Sequence, residues 1–350
     1  MLFNKLRGFI SLDMGVDLGT TSTLICVKGK GVVLNEPSVV AVEKGTNHIL
    51  RNGEAIGEAA LEAMADNPEN AVALWPLKDG VITDFDIAGD MLCNFISRAQ
   101  SRKWATKSRI VIAVPCDMSA VEKRAITVAA ERVGAGKVYF IEKPVAAAIG
   151  MGLELNEDDA AMIVDIGGGT THLAVITQQG LALAHTIRTG GDTMTAAVRA
   201  FIREHYSLIV GEVSAEKIKI QIGSAFRGAE EMAVDIKGVD ATAGLPRRVM
   251  ISSEEIRKAL GKSVREIVGA ISEALENTPK EYAEGIRSKG IILCGGSSLL
   301  RGLDRVIMDA TAVPVQVVDH PTTVTAEGTA RILDEIDSLS GALEGGETNG

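Results

Sequence analysis

The four cysteines of this chain (Cys26, Cys93, Cys116 and Cys294) include no C-x-x-C pair, and its five histidines form no H-E-x-x-H or paired pattern. The first absence points to reduced, mostly buried thiols in a cytoplasmic protein rather than a disulfide framework, and the second argues against a structural zinc. No apolar run reaches the ~18 residues of a transmembrane helix. The first residues lack the long apolar core and small-residue cleavage site of a signal peptide. Neither G-x-G-x-x-G after a strand nor G-x-x-x-x-G-K-[ST] occurs, since Gly136-Lys137 is followed by Val138 and lacks the upstream glycine. Dinucleotide-binding and P-loop enzymes are therefore disfavoured. Positive charge is also in deficit: 36 Lys and Arg against 46 Asp and Glu leave a net charge of −10, which disfavours wholesale nucleic-acid binding.

What the chain does have is length, glycine and one device used twice. At 350 residues it can form two domains with substantial cores, and 46% hydrophobic with 23% charged residues is a soluble globular balance. Its 37 glycines are consistent with many tight loops. Met14 to Thr21 is a short apolar run, then Asp17, Gly19 and the pair Thr20-Thr21; Met162 to Thr171 repeats the pattern with Asp165, Gly167-Gly168-Gly169 and Thr170-Thr171. Each is followed by a β-branched run, which reads as strand, tight turn, strand. Glycine lets the turn aim backbone N–H groups at an anion, threonine hydroxyls add donors, and an Asp at a strand end can hold a hydrated cation. Two such loops facing each other would grip a nucleotide polyphosphate from both sides.

Met1 to Ser11 stand apart. At ~100° per residue, Leu2, Phe3, Leu6, Phe9 and Ile10 fall on one helical arc flanked by Lys5 and Arg7. A short basic amphipathic helix of this kind fits an anionic bilayer surface, or docks on its own domain. Beyond it the pattern predicts helices over 55–67, 86–102, 120–133, 145–150, 193–206, 215–222, 253–276 and 299–310. Ser119 and Glu122 predict a capping box ahead of the third of these. Strands are expected over 110–114, 138–141 and 291–294, the last running into Gly295-Gly296-Ser297-Ser298. The Gly- and Glu-rich stretch 338–350 is expected to be disordered.

The two loops and the Gly-Gly-Ser-Ser turn resemble the actin-like ATPase superfamily. The segments Lys28 to Ala41, Pro76 to Phe85, Val114 to Ile126 and Pro144 to Gly150 narrow the resemblance to the MreB bacterial actins. The resemblance implies an α/β fold of two duplicated lobes, each a mixed five-stranded sheet flanked by helices, with the nucleotide in the cleft between them. The implied domains are the membrane helix 1–11, the lobe I core 12–32, 74–148 and 319–337, its small subdomain 33–73, the lobe II core 149–182 and 245–318, its small subdomain 183–244, and the tail 338–350. It implies binding of ATP or ADP with Mg²⁺ and polymerisation into filaments on the inner face of the cytoplasmic membrane, where they organise cell-wall synthesis and maintain rod shape. Implied partners are the chain itself, in antiparallel double protofilaments, the lipid surface, and membrane proteins of the elongation machinery such as the RodZ, MreC and MreD types.

Carried over residue by residue, Asp17, Gly19, Thr20 and Thr21 match the first phosphate loop, and Gly167, Gly168, Gly169 and Thr170 the second. Asp17 and Asp165 match carboxylates that reach magnesium through water. Glu212, Glu216 and Lys219 match the segment against ribose and adenine; without the resemblance, Glu216 and Lys219 are a solvated i,i+3 ion pair. Gly295, Gly296, Ser297 and Ser298 match the adenosine turn, with serines where a third glycine and an alanine are usual. His172 stands where the family commonly has an acid. One departure bears on chemistry. Where the family has the glutamate that orients the attacking water, this chain has Lys143, with Glu142 one place earlier. Either the local turn brings Glu142 into place, or nucleotide binding survives while hydrolysis is weak or lost. Trp104, among Arg102, Lys103 and Lys107, matches a membrane-inserting loop or closes a helix-to-strand loop. Val121 lies on the helix where the family's protofilaments meet. The competing readings are a sugar or acetate kinase of the superfamily, a chaperone ATPase, and a divergent paralogue that positions organelles or plasmids.

Overall fold

The computed structural model describes residues 12–100, 108–156, 159–228, 230–336 and 343–345. The N-terminal positions Leu2, Phe3, Leu6, Phe9 and Ile10, and Trp104, lie outside them. The chain divides into two compact units, Met1–Glu154 with Thr322–Gly350, and Leu155–Pro321.

The first unit opens with β1 (Met14–Leu18), β2 (Ser22–Val27) and β3 (Gly31–Pro37), an antiparallel meander. Hairpins β4 (Val40–Glu43) with β5 (Ala71–Leu74), and β6 (Leu77–Lys78) with β7 (Val81–Ile82), follow, with helix α1 (Glu58–Asp66) inside the first of them. Next come α2 (Phe85–Ala99), β8 (Ser108–Val114), α3 (Ala120–Arg132), β9 (Ala135–Glu142) and α4 (Lys143–Met151). The capping box of α3 is present: the Glu122 N–H donates to Ser119 Oγ at 3.3 Å and the Ser119 N–H to Glu122 Oε2 at 2.9 Å.

The second unit repeats the plan with β10 (Ala160–Ile166), β11 (Thr171–Thr177) and β12 (Gly180–Ile187), then α5 (Gly191–Tyr206), β13 (Leu208–Ile209) and α6 (Glu212–Ile222). A three-stranded sheet combines β13 with the hairpin β14 (Ala233–Asp240) and β15 (Pro246–Ser252). Helices α7 (Ser253–Asn277) and α8 (Ala283–Lys289), strand β16 (Ile291–Cys294), helix α9 (Leu303–Thr311) and β17 (Val315–Val317) complete it. The chain then returns to the first unit through α10 (Val324–Asp334) and β18 (Glu344–Gly345).

The two main sheets share one scheme. In the second unit the order is β12-β11-β10-β16-β17; in the first it is β3-β2-β1-β8-β9, with β18 added beyond β9. Three antiparallel strands are thus followed by two parallel ones in each. Every residue of β10 and β11 is buried, as suits central strands covered on both faces. The first unit has six strands where five were expected, because Glu344 and Gly345 pair with Phe140 and Tyr139. That is an ordered piece within the stretch whose composition suggested disorder.

Two glycines fix α4. A Cβ added at Gly328 would lie 1.8 Å from the Ala146 carbonyl oxygen, and one at Gly150 would lie 2.0 Å from that of Val324. Helices α4 and α10 therefore touch backbone to backbone, a spacing only glycine permits. Helix α10 was not among the predicted elements. Its small residues Thr325, Ala326, Gly328 and Thr329 are what allow the close approach.

Candidate functional site

Parallel strands bring chemistry to their carboxyl ends. In the first unit Asp17 pairs with Ala113, and Val114 pairs with Glu142, so β1, β8 and β9 finish at the same level. Lys143, the first residue of α4, is then two strands from Asp17, roughly 10 Å across the sheet. A lysine side chain spans that gap. Its ammonium forms an ion pair with Asp17, both side chains being nearly buried (9% and 14% exposed). Glu142 ends β9 and leaves the helix without a side-chain cap. Adjacent side chains diverge, so it is Lys143, not Glu142, that reaches the first loop.

That loop is tied down on its other side. The Gly19 N–H donates to the Ser22 carbonyl at 3.1 Å. Ser38 Oγ donates to the Gly19 carbonyl at 2.7 Å and lies 2.9 Å from Thr23 Oγ1. Thr20 Oγ1 accepts from the Gly80 N–H at 3.4 Å. Thr21 is exposed at the tip.

The second unit gathers more of the expected residues. The Gly167 N–H closes the turn onto the Thr170 carbonyl at 2.9 Å. The carbonyls of Gly167 and Gly168 accept from the Gly191 and Asp192 N–H groups at 3.0 and 2.9 Å, so the loop rests on the N-terminus of α5. Ser297 Oγ also donates to the Gly167 carbonyl, at 2.9 Å. Asp165 pairs with Cys294 across parallel strands, which puts Gly295 beside it. Gly295 has φ +79°. A Cβ there would lie 2.4 Å from both Asp165 Oδ1 and the Ile166 carbonyl oxygen. Ser298 Oγ donates to the Gly295 carbonyl at 2.7 Å and holds the turn that follows. The serines thus bond backbone carbonyls, which accounts for their presence where small apolar residues were expected.

Lys219 is not a solvated ion pair. Its ammonium is buried and donates to the Gly191 carbonyl at 2.9 Å, to Thr195 Oγ1 at 3.1 Å and to Glu216 Oε2 at 2.6 Å. Glu216 also accepts from the Thr195 hydroxyl. Glu212, one turn earlier, is exposed and faces Arg199 at 3.8 Å instead. His172 is buried between Thr170 Oγ1 and Thr186 Oγ1, each 3.0 Å from a ring nitrogen, and braces the loop from β11.

Sequence reasoning missed Gly190, Gly191 and Thr195. A Cβ at Gly190 would meet the Gly168 carbonyl oxygen at 2.4 Å, and one at Gly191 would meet Ser297 Oγ at 2.7 Å. The signal was present in Gly190-Gly191-Asp192 directly ahead of a helical pattern, where a ligand-binding helix start is common.

The donor chemistry suits a polyphosphate better than a metal ion. Among the described residues, the N–H groups of Thr20, Gly168 and Gly169 donate to no protein acceptor, as anion-binding turns require. Asp17, by contrast, is engaged by an ammonium and does not fit as a ligand for a hydrated dication. No group of three or more His, Cys, Asp or Glu among the described residues is arranged to hold one. Val121 is 69% exposed on the first turn of α3. No helix among the described residues is long and apolar enough to cross a membrane.

Comparison with known proteins agrees with this geometry. The family model described as MreB/Mbl protein matches residues 11–341. The cell shape-determining protein MreB of Escherichia coli K12 is 42% identical over 343 residues, 98% of this chain and 99% of that protein. The cell shape-determining protein Mbl of Bacillus subtilis 168 is 42% identical over 327 residues, 93% of this chain and 97% of that one. Among solved structures, MreB5 of Spiroplasma citri bound to ADP is similar with a TM-score of 0.86 at 33% identity, covering 95% of this chain and 98% of that one. The MamK double helical filament, with a TM-score of 0.76 at 22% identity, shows the shared fold. The mixed α/β architecture is that of the actin-like proteins, and the chain belongs to the MreB/Mbl family.

Proposed function

We propose that this chain is a nucleotide-dependent bacterial actin that polymerises on the inner face of the cytoplasmic membrane and there guides cell-wall synthesis and rod shape. The observation that supports this best is the second loop: Gly167 to Thr170, with two uncommitted amides, held by the start of α5 and by Ser297. In this reading the phosphates of ATP or ADP are taken by the loop Gly167 to Thr170, and the loop Asp17 to Thr21 is a phosphate-binding turn of the same kind. The adenosine takes the Gly295 to Ser298 turn and the helix carrying Glu212, Glu216 and Lys219. Relatives solved with ADP and AMPPNP support nucleotide as the ligand. Mg²⁺ accompanies it near Asp165, while Asp17 is matched by Lys143. Hydrolysis is slow, because a charged lysine cannot take a proton from the attacking water. The near full-length match to cell shape-determining proteins favours this reading over a kinase or an organelle-positioning paralogue.

The remaining assignments rest on sequence and family. Leu2, Phe3, Leu6, Phe9 and Ile10 bind the bilayer, assisted by Trp104. Proteins of the RodZ, MreC and MreD types are the membrane partners. Val121 contributes to the contact between antiparallel protofilaments. Electron microscopy of the purified protein with ATP tests the core of this: paired filaments are expected from the wild type and single or no filaments from Val121→Glu. Deleting residues 1–10 should weaken sedimentation with anionic vesicles. Absence of filaments under every nucleotide condition would refute the polymerising reading.

A further inference from the structure

Lys143 sits where an uncompensated lysine is disfavoured. It is the first residue of a helix, at the positive end of the helix dipole, and it is buried. What compensates it is the Asp17 carboxylate, two strands away at the edge of the first phosphate loop. The ammonium also lies close to the loop itself: a Cβ at Gly19 would be 3.9 Å from its Nζ. A carboxylate paired in this way has little charge left for a dication, whereas the other N–H donors of the ammonium and the positive end of the helix suit an oxyanion.

We propose that Lys143 fills, at the first loop, the electrostatic place of a divalent cation held through Asp17, so that this protein binds nucleoside polyphosphate with little dependence on Mg²⁺. The inference rests on the nucleotide-binding reading above and adds to it the source of the positive charge. It also gives the Asp17 carboxylate a different role from the one its position in the loop suggests: it orients the ammonium rather than ligating a metal through water.

The test is equilibrium binding of a fluorescent ADP to the full chain in Mg²⁺ and in EDTA. For the wild type, removing Mg²⁺ should weaken binding by less than about threefold; a loss of about tenfold or more would overturn the proposal. Lys143→Gln frees Asp17, so its binding should fall about tenfold or more in EDTA and recover in Mg²⁺. Retention of affinity by this variant in EDTA would equally overturn the proposal. Should the single variant fail to fold, the double variant Asp17→Asn with Lys143→Gln buries no unpaired charge. It should bind about tenfold or more weakly in both buffers, and wild-type affinity there would overturn the assignment. No binding by the wild type in either buffer is a separate outcome: it refutes nucleotide binding itself, and this inference with it.

Discussion

Replacing Gly295 with alanine should damage the second loop from beneath. Gly295 combines φ +79° with ψ 156°, a region that is essentially closed to side chains and costs about 1–3 kcal/mol to impose on one. The added Cβ would also lie 2.4 Å from Asp165 Oδ1 and from the Ile166 carbonyl oxygen. One of those is backbone of a fully buried central strand, so relief requires moving β10, another ~1–3 kcal/mol of overpacking. The sum, about 2–6 kcal/mol, corresponds to a fall of roughly 10 °C in the melting temperature of the second unit. Gly244→Ala is the matched control: its φ is +69° but nothing lies within 4 Å of an added Cβ, so it carries only the dihedral cost of about 1–2 kcal/mol. Scanning calorimetry on both variants separates the two contributions. Equal melting temperatures for Gly295→Ala and Gly244→Ala would refute the argument that the turn is pressed against Asp165.

Further outcomes follow from burial and capping. Burial, reinforced by the charges of Glu327 and Asp17, pushes the Cys26 thiol up to about 12, and Cys294 is fully buried. A disulfide-exchange reagent at neutral pH should therefore label Cys116 and Cys93 in the native protein and reach Cys26 and Cys294 only on denaturation. Ser252 caps the 25-residue helix α7, so Ser252→Ala should cost about 1 kcal/mol. Burial opposes ionisation of Glu255, but hydrogen bonds from Ser252 and Tyr206 outweigh it and hold the carboxyl below its ordinary value. That contribution is present above the unfolded value of about 4.3 and is lost as pH falls through the lower folded value. The gap in melting temperature between wild type and Ser252→Ala should therefore narrow in acid; a gap independent of pH would contradict the assignment.

Both strand–glycine turn–strand units could be read from the chain because an apolar run, a glycine turn and paired threonines are local in sequence. The capping box of α3 was legible for the same reason. What could not be read depends on register. Asp17 and Lys143 are 126 residues apart and meet only because β1, β8 and β9 end together. Lys219 looked like a surface residue, since its partners Gly191 and Thr195 belong to another helix. Helix α10 carries threonine, glycine and alanine where a core helix usually shows a long apolar stripe, because it packs backbone to backbone on α4. Strand β18 is two residues long and is defined by its pairing with β9, which no composition reveals.

The central claim is that the glycine loop Gly167 to Thr170 holds a nucleotide. Isothermal titration of the purified chain with ADP tests it most directly. Saturable uptake of one nucleotide per chain, abolished by Gly168→Asp, is the predicted result; no heat of binding with either ADP or ATP would contradict the account.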